Sequence, residues 1–159
     1  MPTNPKLIDL DRLRPRLDRR RARGHRIVMT NGCFDVLHAG HVRYLRSARR
    51  LGDLLVVGLN GDASVRRLKG DGRPVYSLDD RAEILAAFPF VTFIVPFDTD
   101  SVESLVRSIR PDVLVKGGDY TPEEVVGGDF VRAQGGRVVV LDHLEGRSTT
   151  ETLHRQRGS

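Results

Sequence analysis

The chain has 159 residues, 39% hydrophobic and 30% charged, which suits one folded domain with a single core and excludes a disordered chain. No apolar run approaches the roughly 20 residues that span a bilayer, no signal-peptide stretch opens the chain, and Cys33 is the single cysteine, so the expectation is a cytoplasmic protein without a membrane segment or an internal disulfide. The net charge of +5 is uneven: residues 1–26 hold nine Lys or Arg and three Asp, while the remaining 17 basic and 18 acidic residues leave −1.

Leu10, Leu13 and Leu17 recur at helical spacing across residues 9–24 and predict an amphipathic helix stopped at Gly24. Residues 1–25 are read as a helical extension of a domain over residues 26–159. Its arginines read as a solvated helix face, and no nucleic-acid partner is expected. Residues 26–31 (RIVMTN) form an apolar run, the first buried strand. GCFDVLHAGH follows, then a helix ending at Gly52 and a second buried strand at 54–59. The Gly-rich stretch 60–76 is predicted to be a long functional loop with a short helical piece. Ser77 caps the next helix, LDDRAEILAAF, and residues 92–95 give strand three. A helix over 101–109 stops before Pro111, and residues 113–116 give strand four, ending in GGD. TPEEV starts a helix, residues 137–141 give strand five, and Ser148 with Glu151 marks a capping box for a last helix.

This alternation predicts an α/β fold, a Rossmann-like doubly wound parallel sheet of five strands covered on both faces. Such sheets bind ligands beyond the carboxyl ends of their strands. The turns after strands one, two, four and five are therefore expected at one site.

The sharpest chemical signal is His38-Ala39-Gly40-His41, directly after the first strand. A helix N-terminus there offers unpaired N–H groups, Gly40 leaves room for a phosphate, and two imidazoles can donate to its oxygens. Zinc on His38, His41 and Asp35 is the competing reading, but the spacing is not the i, i+4 of a helical zinc pair and no Cys or Glu cluster accompanies it. Cys33 reads as a small residue at a strand end rather than a nucleophile.

The run Thr30-Asn31-Gly32-Cys33-Phe34-Asp35-Val36-Leu37-His38-Ala39-Gly40-His41 resembles the first signature of the cytidylyltransferase-like nucleotidyltransferases. Within that superfamily the chain is most similar to the heptose 1-phosphate adenylyltransferases. The similarity is carried further by Asn60 through Gly70, Arg73-Pro74-Val75, Val115 through Tyr120, and Glu145 through Thr150. The resemblance implies that His38 and His41 bind the triphosphate and stabilise the transition state, with Lys69 as a phosphate-binding loop lysine. It places Cys33, Phe34, Gly40, Glu145, Gly146, Ser148, Thr149 and Thr150 on the nucleotide. Asn60, Asp62, Arg81, Lys116, Gly118 and Asp119 are assigned to substrate.

Several of these positions carry ordinary alternatives: a surface ion pair for Arg81, a turn or cap for Asp62, a solvent lysine for Lys69. Asp119 is read as binding a hydroxyl or a Mg²⁺-linked water. His143 stands where the glycerol- and choline-phosphate cytidylyltransferases carry the arginine of R-T-E-G-I-S-T, which favours the heptose-type branch; Arg147 is unexplained. The implied partners are Mg²⁺-ATP and a sugar phosphate, in a free-standing enzyme that forms a homodimer. The rivals are a CTP-dependent glycerol 3-phosphate enzyme, an adenylyltransferase acting on FMN or phosphopantetheine, and a non-catalytic nucleotide- or RNA-binding module.

Overall fold

A computed structural model describes residues 4–118 and 120–141. Five parallel strands, β1 (Ile27–Gly32), β2 (Leu54–Asn60), β3 (Phe93–Phe97), β4 (Val113–Gly117) and β5 (Arg137–Leu141), form one sheet in the order β3-β2-β1-β4-β5. This is the doubly wound, Rossmann-like sheet expected. Successive strand residues point to opposite faces. Ile27, Met29, Leu54 and Val56 therefore pack with α1 (Leu10–Ala22), α5 (Glu103–Ile109) and α6 (Gly128–Ala133). Val28, Leu55 and Val57 pack instead with α2 (Ala39–Arg49) and α4 (Leu78–Ala86). The turns that leave β1 and β2 thus run to one face, and those that leave β3 and β4 run to the other.

The loop from 60 to 76 carries the expected helical piece as α3 (Asp62–Lys69). Ser77 caps α4, its hydroxyl accepting from the Asp80 N–H. Two local readings differ from the structure. Strand three runs on through Pro96 to Phe97, because β3 lies at the end of the sheet, where a proline is tolerated. The helix expected at TPEEV is only a 3₁₀ turn, Pro122–Glu124. Gly127 then takes φ 87° and the chain restarts as α6, since a left-handed residue cannot continue a right-handed helix.

The N-terminal segment is tied into the sheet. The Ile94 N–H donates to the Lys6 carbonyl at 2.7 Å, and the Ile8 N–H donates to the Ile94 carbonyl at 2.9 Å. These bonds cover the outer edge of β3, which would otherwise expose unpaired backbone. Pro15 sits inside α1 and removes one helical hydrogen bond. The helix persists because Leu13 and Leu17 are fully buried, each burial contributing about 1.5–3 kcal/mol. Part of the arginine run also bridges α1 to α5. Arg14 donates to Ser108 Oγ at 2.9 Å, and Arg21 donates to the Ile109 and Arg110 carbonyls at the end of α5. Leu17→Ala is expected to destabilise the fold by about 2–5 kcal/mol, read as a fall in the urea midpoint with an unchanged slope.

Candidate active site

The site begins where two strands part. β1 and β2 stay in register from Ile27↔Leu54 to Gly32↔Leu59. β1 and β4 pair only at Val28↔Val113 and Met29↔Leu114. Strand order reverses between β1 and β4, and beyond Met29 a crevice opens there, as this topology requires. Tyr44 from α2 forms its floor. The phenol donates to the Val115 carbonyl at 3.2 Å and lies 2.6 Å from Thr30 Oγ1. With its one proton spent on Val115, it accepts from Thr30. Burial pushes the phenol pKa up, so it stays neutral and bridges the parted strands. Gly117 makes room for the ring: a Cβ there would lie 3.0 Å from Tyr44 Cε2.

Above this floor lies a cavity of about 620 Å³. Of the residues expected from sequence, Cys33, Phe34, His41, Asn60, Lys69, Lys116 and Gly118 line it. His38, Gly40, Asp62 and Arg81 are not part of that lining; His38 packs on His41, and Asp62 pairs with the buried Arg81. Asp119, Glu145, Gly146, Ser148, Thr149 and Thr150 lie outside the described residues. The end of β3 supplies Phe97, and the turn after it, absent from the sequence reading, supplies Asp100, Ser101 and Val102. The segment after β4 adds Tyr120, Glu124, Val125 and Val126. The acidic, hydroxyl-bearing stretch Phe97-Asp98-Thr99-Asp100-Ser101 was the available signal.

The two histidines cap α2 reciprocally. The Gly40 N–H donates to His38 Nδ1 at 3.0 Å, and the His38 N–H donates to His41 Nδ1 at 3.2 Å. Both Nδ1 atoms are acceptors, so each neutral ring carries its proton on Nε2. The ring centroids are 4.1 Å apart, and His41 is the ring that reaches the cavity. Burial, then His38 and Lys69, hold the His41 pKa down at about 4. At neutral pH His41 is therefore a neutral donor.

Arg81 is fully buried. Its guanidinium donates to the carbonyls of Tyr76 (3.0 Å), Cys33 (2.8 Å) and Asn60 (2.7 Å) and to Asp62 Oδ1 (2.7 Å). It fastens the ends of β1 and β2 together. Asp35, almost as buried, accepts from Arg73 Nε and the Val75 N–H at 2.7 Å and from the Tyr76 N–H at 2.9 Å. Burial pushes its carboxyl up, but these donors win and hold it below the ordinary carboxylate value. Asp35 is thus a strap on the returning loop. No group of three or more His, Cys, Asp or Glu able to hold a metal occurs among the described residues.

Four cations act on Cys33. Burial pushes the Cys33 thiol up, while Lys69, Arg81, Lys116 and Arg73 all pull it down. Burial, with Lys69 nearby, lowers the Lys116 ammonium. Its Nζ lies 5.6 Å from the Tyr120 ring centroid. Arg73 and Arg81 are held by Asp35 and Asp62, and the ammonium groups of Lys69 and Lys116 on the lining suit a polyanion.

Two expectations follow from this geometry. Arg81→Met leaves three carbonyls without their donor, that of Asn60 in the interior, and is expected to cost about 1–3 kcal/mol in urea unfolding; Arg81→Lys recovers only part, because an ammonium cannot reproduce the fork. His41 should titrate near pH 4 in the folded protein by NMR. A folded pKa below the unfolded value of 6.5 makes the contribution of this ring to stability complete above pH 6.5 and lost as pH falls toward 4.

The cytidylyltransferase-like family model matches residues 29–142. The chain is 58% identical over 143 residues to the bifunctional protein HldE of Syntrophotalea carbinolica, covering 90% of this chain and 29% of that protein. It is 51% identical to the bifunctional protein HldE of Campylobacter fetus, covering 96% of this chain and 32% of that one. The chain therefore spans about 30% of the length of these relatives. Among solved structures, a lipopolysaccharide core biosynthesis protein from Thermoplasma volcanium superposes with a TM-score of 0.62 at 26% identity, covering 75% of this chain and 96% of that one. Pantothenate synthetase from Thermus thermophilus shares the fold, with a TM-score of 0.61 at 15% identity, covering 86% of this chain and 61% of that one. With its family signature set at the switch point of the sheet, the chain belongs to the cytidylyltransferase-like family of nucleotidyltransferases.

Proposed function

We propose that the chain transfers AMP from ATP to D-glycero-β-D-manno-heptose 1-phosphate, giving ADP-heptose and pyrophosphate. The observation that carries this reading is the neutral His41 donor beside Lys69 and Lys116, all lining one cavity beyond the strand ends. The heptose-type sequence stretches, and a structural relative named for lipopolysaccharide core biosynthesis, support the sugar phosphate as acceptor.

In this reading an oxygen of the sugar phosphate attacks the α-phosphorus of ATP. The bond from that phosphorus to the bridging oxygen breaks, and pyrophosphate leaves with the electron pair. The attacking oxygen is already anionic near neutral pH, so no strong base is needed. Positioning and charge stabilisation supply the rate. His41 Nε2 donates to an oxygen of the reacting phosphate, and Lys69 closes over the triphosphate as a point charge. His38 orients the His41 ring through the reciprocal cap. Lys116 and Gly118 face the acceptor, with Asp119 next in the chain. Arg81 and Asp62 act from behind, by holding Asn60 and Cys33 in place. The nucleotide-binding roles of Glu145, Gly146, Ser148, Thr149 and Thr150 belong to the same proposal. Mg²⁺ enters with ATP as part of the substrate and neutralises the triphosphate. A cytoplasmic homodimer completes the reading.

The test is pyrophosphate release with Mg²⁺ across ATP and CTP against heptose 1-phosphate, glycerol 3-phosphate and FMN. Release with ATP and the heptose phosphate alone is expected. CTP with glycerol 3-phosphate as the productive pair would overturn the substrate. His41→Ala is expected to lower kcat on the order of 100- to 1000-fold, as for loss of one oxyanion donor, with the protein still folded and the melting temperature lowered only by the loss of the α2 cap bond. Near-wild-type turnover would remove His41 from the chemistry.

A further inference from the structure

The cavity has two walls of different origin and opposite character. The turns after β1 and β2, which run to the α2 and α4 face, bring His41, Lys69 and Arg73, the last paired with Asp35 of the same wall at 2.7 Å. The turns after β3 and β4, which run to the α5 and α6 face, bring Asp100, Ser101, Tyr120, Glu124 and Val126. Lys116, at the end of β4, belongs to the second wall by sequence, and its ammonium near the Tyr120 ring marks where the cationic region ends.

Carboxylates repel a triphosphate, so the second wall is unsuited to the nucleotide's phosphates. Carboxylates accept hydrogen bonds from hydroxyls, as acidic side chains do for a ribose. Tyr120 and Val126 are among the exposed large apolar side chains, at 47% and 51%, and offer a surface for the C–H face of a sugar ring. Both acids have partners that leave acceptor capacity. Asp100 accepts from Arg67 Nε at 2.8 Å in a solvent-exposed pair, which contributes little and exchanges readily. Glu124 accepts from Thr121 Oγ1 at 3.0 Å through one carboxylate oxygen.

We propose that Asp100 and Glu124 select the acceptor by binding its hydroxyls, while Lys116 takes its phosphate. The inference rests on the adenylyltransferase reading and adds which wall holds which substrate. The two walls orient both: the triphosphate lies along His41 and Lys69, beside the ion pair of Arg73 with Asp35, and the polyhydroxylated part of the acceptor lies along the turns after β3 and β4.

The experiment measures separate Michaelis constants for ATP and for heptose 1-phosphate in the full chain, by pyrophosphate release. Glu124→Gln and Asp100→Asn are each expected to raise KM for the sugar phosphate about tenfold, the effect of weakening one hydrogen bond to a charged group, with KM for ATP changed less than about twofold. Both side chains are solvent-exposed, and unchanged melting temperatures are expected. Thr121→Val keeps the carboxylate and removes only its local partner, so it should leave both constants near wild type. Equal constants in wild type and both acid variants would overturn the inference alone. A Thr121→Val defect as large as that of Glu124→Gln would also overturn it, by assigning the effect to the shape of the turn. Absence of wild-type release with ATP and the sugar phosphate would overturn the adenylyltransferase reading and this inference with it.

Discussion

The guanidinium of Arg81 holds together three segments that are far apart in the chain. A fully buried cation has to be paired, because desolvation without compensation costs several kcal/mol. Here its partners are the carbonyls that end β1 and β2, the carbonyl of Tyr76 and the carboxylate of Asp62. The turn bearing Cys33 and Phe34, the start of α3 and the returning loop are thereby fixed to one another. Phe34 sits in that turn at φ 47°, a backbone state costing of order 1–3 kcal/mol that persists only where surroundings impose it. Asp35 adds the second strap from the next residue.

A cavity built on this frame is electrostatically one-sided near α2. Lys69 and Lys116 both lower neighbouring basic groups or pull down the Cys33 thiol, and burial keeps His41 neutral. Proton transfer is a poor use of a ring held near 4; hydrogen-bond donation to developing charge is a good one. The same dryness that lowers His41 strengthens each contact to a phosphate oxygen. Folding energy is thus spent holding like charges together, a cost that a polyanionic substrate would relieve.

Much of this was legible in the chain because it is local. Continuous apolar runs identified the five strands, Ser77 announced its helix, and the histidine-bearing turn after the first strand announced an anion site. Other features were hidden for a physical reason. Arg81 lies in an amphipathic helix, and its donors reach residues up to 48 positions away; nothing nearby distinguishes it from a surface arginine. Tyr44 reads as one more apolar helical position, yet its hydroxyl bridges to Val115, 71 residues on. Pro96 and the broken helix after Thr121 were misread because edge position and a left-handed glycine override propensity.

What the sequence by itself determined was the alternation of elements, the parallel sheet and the signature turn, since periodicity, caps and apolar runs act within a few residues. What only the tertiary structure decided was the strand order, the place where β1 and β4 part, and the two walls that meet above Tyr44. Those depend on which strands become neighbours, and that follows from burying the whole apolar surface at once rather than from any local stretch.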